Sequence, residues 1–326
     1  MAGPLLSVDD LRVVFATPAG DFTAVNGVCF EVQPAQIYGI VGESGCGKTV
    51  TGRAILGLVP PPGRIAGGRI LFRGEDLTAK SEAEMNRLRG RHISMIFQDP
   101  AAALNPLFTI GQQLEAVMTR HAMGTRAEIR AKSAALLRDL GLPDAERVLE
   151  TYPHRLSGGM QQRAMIALAL SAEPALIVAD EPTSALDVTI QNQILELLVW
   201  LRRERNVTLI LITHDLGVVA ETCDEVAVFY LGRVVEKGPV REIFHHPSHP
   251  YTLGLLGALP NLKTRGKKLA VIPGNIPSGL ELPPGCPFEP RCGARLPRCR
   301  ETPPPTVQVS VTHQVSCHLY GPETRP

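Results

Sequence analysis

Residues 42–49 read GESGCGKT, directly after the apolar run Ile37 to Val41 and directly before helix-favouring residues from Thr49 to Leu58. No other feature of the chain narrows its possible folds so far. The octapeptide fits G-x-x-x-x-G-K-[ST], with Gly42, Gly47, Lys48 and Thr49 at the fixed places. A short, partly β-branched apolar run reads as a buried parallel strand. The glycines then let backbone N–H groups converge on phosphate oxygens without Cβ clashes, and the helix start adds partial positive charge. Glu43, Ser44, Gly45 and Cys46 complete the cradle. Lys48 supplies a point charge for the β- and γ-phosphates, and Thr49 a hydroxyl for Mg²⁺. A glycine-rich turn with a surface lysine would need neither the strand nor the helix.

The charge balance, 33 Lys+Arg against 32 Asp+Glu, leaves a net +1. No global field therefore recruits nucleic acid or an anionic membrane. The start, MAGPLLSVDDLR, is acidic where a signal peptide needs a basic and then an apolar stretch. No run approaches the roughly 20 apolar residues of a membrane-spanning helix; AMIALALSA at 164–172 stops at Glu173 and Pro174. We expect a soluble chain, with any membrane role reached through a partner. Its 326 residues allow one large domain and a small one.

Residues 5–35 alternate apolar and polar between PAG and NG turns, as antiparallel strands do. ILFRGEDL at 70–77 reads as another short strand and turn. From about 99 to 172 the period is helical: Ile129, Leu136, Leu137 and Leu140 fall on one face before Gly141 and Pro143. ALIVAD at 175–180 and TLILIT at 208–213 are buried strands, separated by a helix with Ile190, Ile194, Leu197, Leu198 and Leu201 on one face. VAVFYLGRVVEKG at 226–238 gives two strands joined near Gly232. Such alternation predicts an α/β fold, a parallel sheet with helices on its faces. Asp180 emerges at the carboxyl end of its strand, where these sheets bind ligands. Its expected role is to hold Mg²⁺ through water; Glu181 is the candidate general base for the attacking water. The alternative is an exposed acidic turn before Pro182.

LSGGMQQR at 156–163 completes a set of motifs that resembles the ATP-binding-cassette (ABC) ATPases over roughly residues 5–260. The resemblance implies a RecA-like parallel-sheet core, an antiparallel β subdomain and an α-helical signature subdomain at about 99–172. It also implies roles. Gln98, in MIFQDP, matches the glutamine that senses Mg²⁺ and the transmembrane partner. Ser157, Gly158 and Gly159, with Gln161 beside them, match the signature loop that contacts the γ-phosphate of the opposite subunit's ATP. Asp187, in SALD, matches the subunit-interface aspartate, and His214, in ITHDL, the switch histidine that links γ-phosphate to Glu181. Phe15 matches the aromatic that stacks on adenine, with Phe22 as rival because ATPAGD looks inserted. Read as residues alone, Ser157 is also a good helix N-cap, and Phe15 and Phe22 are also ordinary core aromatics. Met160 stands where glutamine is usual, which leaves the glycine contacts intact.

SHPYTLGLLGALP at 248–260 and PPGCPFEPRCGARLPRCRE in the tail resemble segments of the dipeptide, oligopeptide and nickel importer ATPases. The expected domains are a nucleotide-binding domain at 1–260 and, from 261 to 326, a small C-terminal module rich in Pro, Gly and Cys. Four of the seven cysteines (Cys286, Cys292, Cys299 and Cys317) stand there with gaps of 5, 6 and 17 residues. Disulfides do not suit a cytosolic chain, and close C-x₂₋₄-C zinc pairs are missing. Four thiolates at such spacing suit an iron–sulfur cluster, with zinc or free thiols as alternatives; members with similar tails hold a [4Fe–4S] cluster. Cys29, Cys46 and Cys223 are expected to be inert.

The resemblance as a whole implies an ATPase subunit of an importer of di- or oligopeptides, using ATP and Mg²⁺ on the cytoplasmic face of the inner membrane. Its implied partners are a second, paralogous ATPase subunit, two transmembrane permeases and an extracytoplasmic solute-binding protein. Rival readings are a nickel or other small-solute importer, a soluble ABC ATPase of DNA repair or translation, and a redox or iron sensor with an ATPase output. Repair types carry a long coiled-coil insertion and translation types usually two cassettes, neither present here. Exporters commonly fuse the cassette to membrane helices.

Overall fold

The structure, a computed structural model, describes residues 3–184, 186–259, 271–275, 277, 279–280 and 282–321. Two compact units make up the chain: residues 1–33, 38–78 and 212–326 form one, and residues 34–37 and 79–211 the other.

The first unit begins with an antiparallel sheet. Strand Leu6–Thr17 is flanked by Gly20–Val32 and Gly63–Phe72, and Glu75–Asp76 lies beyond the latter. The alternation seen in the sequence puts Val8, Leu11, Val13, Val25, Val28 and Phe30 inside. Tyr38–Val41 then runs parallel to Glu225–Val228. Both are buried along almost their whole length, as their unbroken apolar character requires. Arg233–Pro239 turns back antiparallel on Glu225–Tyr230. The tail joins in, because Gln314–Ser316 pairs with Glu236 and Lys237 and Thr306–Gln308 pairs beside it.

Among the described residues the tail has no core apart from this unit's own. Cys286, Phe288 and Cys299 share one buried cluster with Val41, Tyr230 and Tyr251. A short Pro-rich segment buries too little apolar surface to stand alone and borrows its neighbour's. The expected boundary at 260/261 falls on residues 260–270, outside the described residues. A buried carboxylate pins the tail further. Glu236 accepts the N–H groups of Ser248 (2.6 Å) and His249 (3.0 Å), and His313 Nε2 lies 2.8 Å from it. Burial pushes the His249 imidazole down to about 4, against a smaller opposing pull from Glu236. The ring is therefore neutral at pH 7, and its Nδ1 accepts the Tyr251 N–H at the start of helix Pro250–Gly257.

The second unit holds the parallel pair Ile93–Ile96 and Leu176–Ala179. Its helices start where sequence chemistry places them. Thr109 with Gln112, and Thr125 with Glu128, form capping boxes on Ile110–Arg120 and Arg126–Asp139. Ile129 and Leu137 are buried, and Gly141 with φ +79° ends that run. Helices Gly158–Leu170 and Val188–Arg205 follow, the latter burying Ile194, Leu197, Leu198 and Leu201.

Candidate nucleotide site

Residues 42–49 form a tight glycine turn that leads from the strand ending at Val41 into a helix starting at Lys48. Gly42 has φ +150°, and a Cβ there would lie 2.2 Å from the Phe229 carbonyl oxygen. Gly47 has φ +98°, and a Cβ there would lie 2.4 Å from the Ala24 carbonyl oxygen. Both positions therefore admit only glycine. Helix Lys48–Ile55 starts at Gly47 with no side chain capping it and no acidic residue in its first turn. The partial positive charge at such a helix start favours an anion. Lys48, 5% exposed, donates from Nζ to the carbonyl oxygens of Gly42 (2.8 Å) and Glu43 (3.0 Å). Its charge is thus stored inside the loop, among oxygens that phosphate oxygens can replace. The Cys46 carbonyl accepts the Gly232 N–H at 3.0 Å, anchoring the loop to the turn after Tyr230. Burial raises the Cys46 thiol above its ordinary range despite the nearby Lys48, so it stays protonated and unreactive. His214 is exposed in the turn after Thr208–Thr213, where Asp215 caps helix Leu216–Thr222.

In the second unit Asp180 is the buried last residue of strand Leu176–Asp180. Glu181 follows with φ +47°, a left-handed conformation that a non-glycine residue holds at a cost of about 1–3 kcal/mol. Gln98 Nε2 donates to Glu181 Oε2 at 3.1 Å, so two motifs distant in sequence meet here. Ser157 caps helix Gly158–Leu170 by accepting the Met160 N–H at 3.4 Å. A Cβ on Gly158 would meet nothing within 4 Å among the described residues, whereas one on Gly159 would press Ile190 at 3.1 Å. The signature loop thus shows an open helix N-terminus. Gln161 is turned inward, donating to the carbonyls of Pro153 (3.0 Å) and Leu156 (3.3 Å) and bracing the loop. Asp187 caps Val188–Arg205 through the Ile190 N–H. Sequence reasoning passed over Gln162, which is buried and donates to the Pro182 carbonyl at 2.7 Å, tying the signature helix to the turn after Glu181.

Phe15 and Phe22 face each other across the first hairpin, and both are half-buried. Phe15 lies against Gly63, and Phe22 against Gly279 of the tail. The four tail cysteines lie near one another. Burial pushes the Cys286 and Cys317 thiols up to about 11, with smaller upward pushes from neighbouring thiols. Each sulfur is met by a backbone N–H: Phe288 for Cys286, Ala294 for Cys292, Leu319 for Cys317, and Leu296 at 3.4 Å for Cys299. Among the described residues no three His, Cys, Asp or Glu side chains are grouped so as to hold a metal ion, and no helix is long and apolar enough to cross a membrane.

Residues 25–184 match the ABC transporter family, and residues 235–299 match the oligopeptide/dipeptide transporter C-terminal region. The oligopeptide transport ATP-binding protein OppD of Salmonella typhimurium is 50% identical over 303 residues, covering 93% of this chain and 90% of the relative. The dipeptide transport ATP-binding protein DppD of Bacillus subtilis is 48% identical over 316 residues, covering 97% and 94%. Among solved structures, the dimeric ATP-binding cassette MJ0796 bound to ADP and Pi superposes with a TM-score of 0.65 at 26% identity, over 72% of this chain and 99% of that one. Clostridium perfringens cbiO1 does so at 0.64 and 29%, over 74% and 91%. Fold and motifs together define an ATPase of the ABC class. The chain belongs to the ABC transporter ATP-binding proteins that carry the oligopeptide/dipeptide transporter C-terminal region.

Proposed function

We propose that this chain is the ATP-hydrolysing subunit of an importer of di- or oligopeptides, with residues 1–260 as its nucleotide-binding domain and 261–326 as its C-terminal module. The observation that carries the reading is the oligopeptide/dipeptide C-terminal region, found at 235–299 on an ABC cassette. In this reading residues 42–49 cradle the phosphates and Lys48 turns from the Gly42 and Glu43 carbonyls towards them. Asp180, with Thr49 and Gln98, holds Mg²⁺, which supplies charge neutralisation on the phosphates. Glu181 orients and polarises the attacking water, and His214 ties it to the γ-phosphate. Phe15 stacks on adenine. Ser157, Gly158 and Gly159 present their open helix terminus to the nucleotide of a second, paralogous ATPase subunit, with Asp187 at the interface.

The remaining partners are two membrane-embedded permeases and a solute-binding protein, which places this chain on the cytoplasmic face of the inner membrane. Large apolar side chains exposed within ten residues of Gln98 in the sequence support the permease contact: Phe97, Leu107 and Phe108 are 38%, 76% and 49% exposed. The test is detergent co-purification with the permeases. Leu107→Asp and Phe108→Asp should each weaken association by roughly ten-fold or more while the isolated subunit keeps its affinity for Mg–ATP. Wild-type co-purification by both variants would remove these side chains from the contact.

The four tail cysteines, in the same reading, hold a [4Fe–4S] cluster. Four soft, largely buried thiols, each met by a backbone N–H, are the donor chemistry such a cluster takes, although among the described residues no three of them are grouped so as to hold a metal ion in this structure. Full-length protein purified without oxygen should carry iron and acid-labile sulfide, and Cys299→Ser should lose them. Wild-type protein with neither would end the assignment.

A further inference from the structure

Glu43 is the second residue of the phosphate loop, and it is held from outside the loop at two points. Its backbone N–H donates to Tyr251 Oη at 3.0 Å. Its carboxylate is gripped by Arg291, with Nη1 at 2.6 Å from Oε2 and Nη2 at 3.0 Å from Oε1. Arg291 belongs to the turn Glu289–Arg291 of the C-terminal segment, immediately before Cys292. Its guanidinium is fully engaged. Nε donates to the Pro273 carbonyl (3.0 Å), Nη2 also to the Ile272 carbonyl (3.4 Å), and Nη1 also to Tyr230 Oη (3.4 Å). The group also lies over the Tyr230 ring at 5.8 Å, and only 4% of the side chain is exposed. Tyr230 in turn packs with Tyr251 and Phe288, the three rings edge-on or tilted to one another with centroids 4.7 to 5.3 Å apart. An arginine this well seated is a built connection, unlike an exposed ion pair.

Two consequences bear on nucleotide binding. Lys48 here ties the loop together through the Gly42 and Glu43 carbonyls, and those ties are given up when Lys48 turns to phosphate. The entry to the loop then depends on what holds Glu43. A carboxylate inside a phosphate cradle also repels the ligand unless a cation answers it, and Arg291 is that cation. We infer that Arg291 is a positioning residue for nucleotide binding: through Glu43 it fixes and neutralises the phosphate loop, so nucleotide affinity depends on the C-terminal segment being seated. This deepens the nucleotide-binding reading above and rests on it.

The test is a double-mutant cycle on the full-length chain, reading the Kd for Mg–ADP. Arg291→Met should raise Kd by about ten-fold. Arg291→Lys, which keeps the charge but loses the bidentate fork, should fall between the two. In a Glu43→Gln background the same Arg291 substitutions should change Kd by less than about two-fold, because the tie they break is already gone. Urea unfolding of each variant separates lost affinity from lost fold. If Arg291→Met does not accumulate, Arg291→Lys with and without Glu43→Gln completes the cycle. An unchanged Kd in folded Arg291 variants would overturn the inference, and so would an equal loss in the Glu43→Gln background. Wild-type protein that binds no Mg–ADP at all would instead overturn the nucleotide reading beneath it.

Discussion

Glu181→Gln is expected to lower steady-state ATP turnover of the assembled transporter by roughly 10²–10⁴, the range supplied by a positioned general base, while Mg–ATP binding persists. Glu181 sits in a strained left-handed turn directly after buried Asp180, within hydrogen-bond reach of Gln98. That strain is maintained by its surroundings, which is how active sites store misfit backbone. Glutamine has nearly the same shape and can keep the contact to Gln98, so the geometry survives and only the proton acceptor is lost. Turnover and nucleotide affinity measured on one preparation distinguish this from a folding defect. Turnover near wild type would remove Glu181 as the base.

The second large effect is structural. Gly47→Ala should destabilise the protein by more than about 4 kcal/mol, enough to erase most of a typical domain's stability. The new Cβ would sit 2.4 Å from the Ala24 carbonyl oxygen and 3.5 Å from Gly232 Cα, on a backbone at φ +98°. Those neighbours are backbone atoms, and no side-chain rotation relieves them. The same turn positions Lys48 and the helix terminus, so any folded fraction should also lose nucleotide affinity. The urea midpoint is the measurement; a wild-type midpoint would show that the loop tolerates a side chain there.

Local chemistry makes much of this legible in the sequence. The glycine spacing at 42–49, the apolar run ending in Asp180 and the Ser before Gly158 each specify a turn or cap through residues a few positions apart. The helical stretch, with its capping boxes at Thr109 and Thr125, and the hairpin at 226–238 also formed as their periodicity requires. What stayed hidden depends on distant partners. Arg291 and Glu43 lie 248 residues apart, and nothing in PRC or GES announces the other. Tyr251 and Glu236 read as an ordinary aromatic and an ordinary strand carboxylate, yet one holds the phosphate loop and the other pins the tail. Composition marks the tail as Pro- and Cys-rich but does not reveal whose core Phe288 fills. Gln161 reads from its motif as part of the nucleotide contact, while its amide is occupied by its own loop's carbonyls.

The central claim is that a triphosphate is held between one cassette's glycine cradle and the Ser157–Gly159 corner of another. A structure of the Glu181→Gln subunit with its partner ATPase and Mg–ATP tests it most directly. The account predicts that each triphosphate touching Lys48 of this chain also touches the signature loop of the neighbouring cassette. A nucleotide bound at Lys48 with no second cassette across it, or an empty cradle at saturating Mg–ATP, would contradict it.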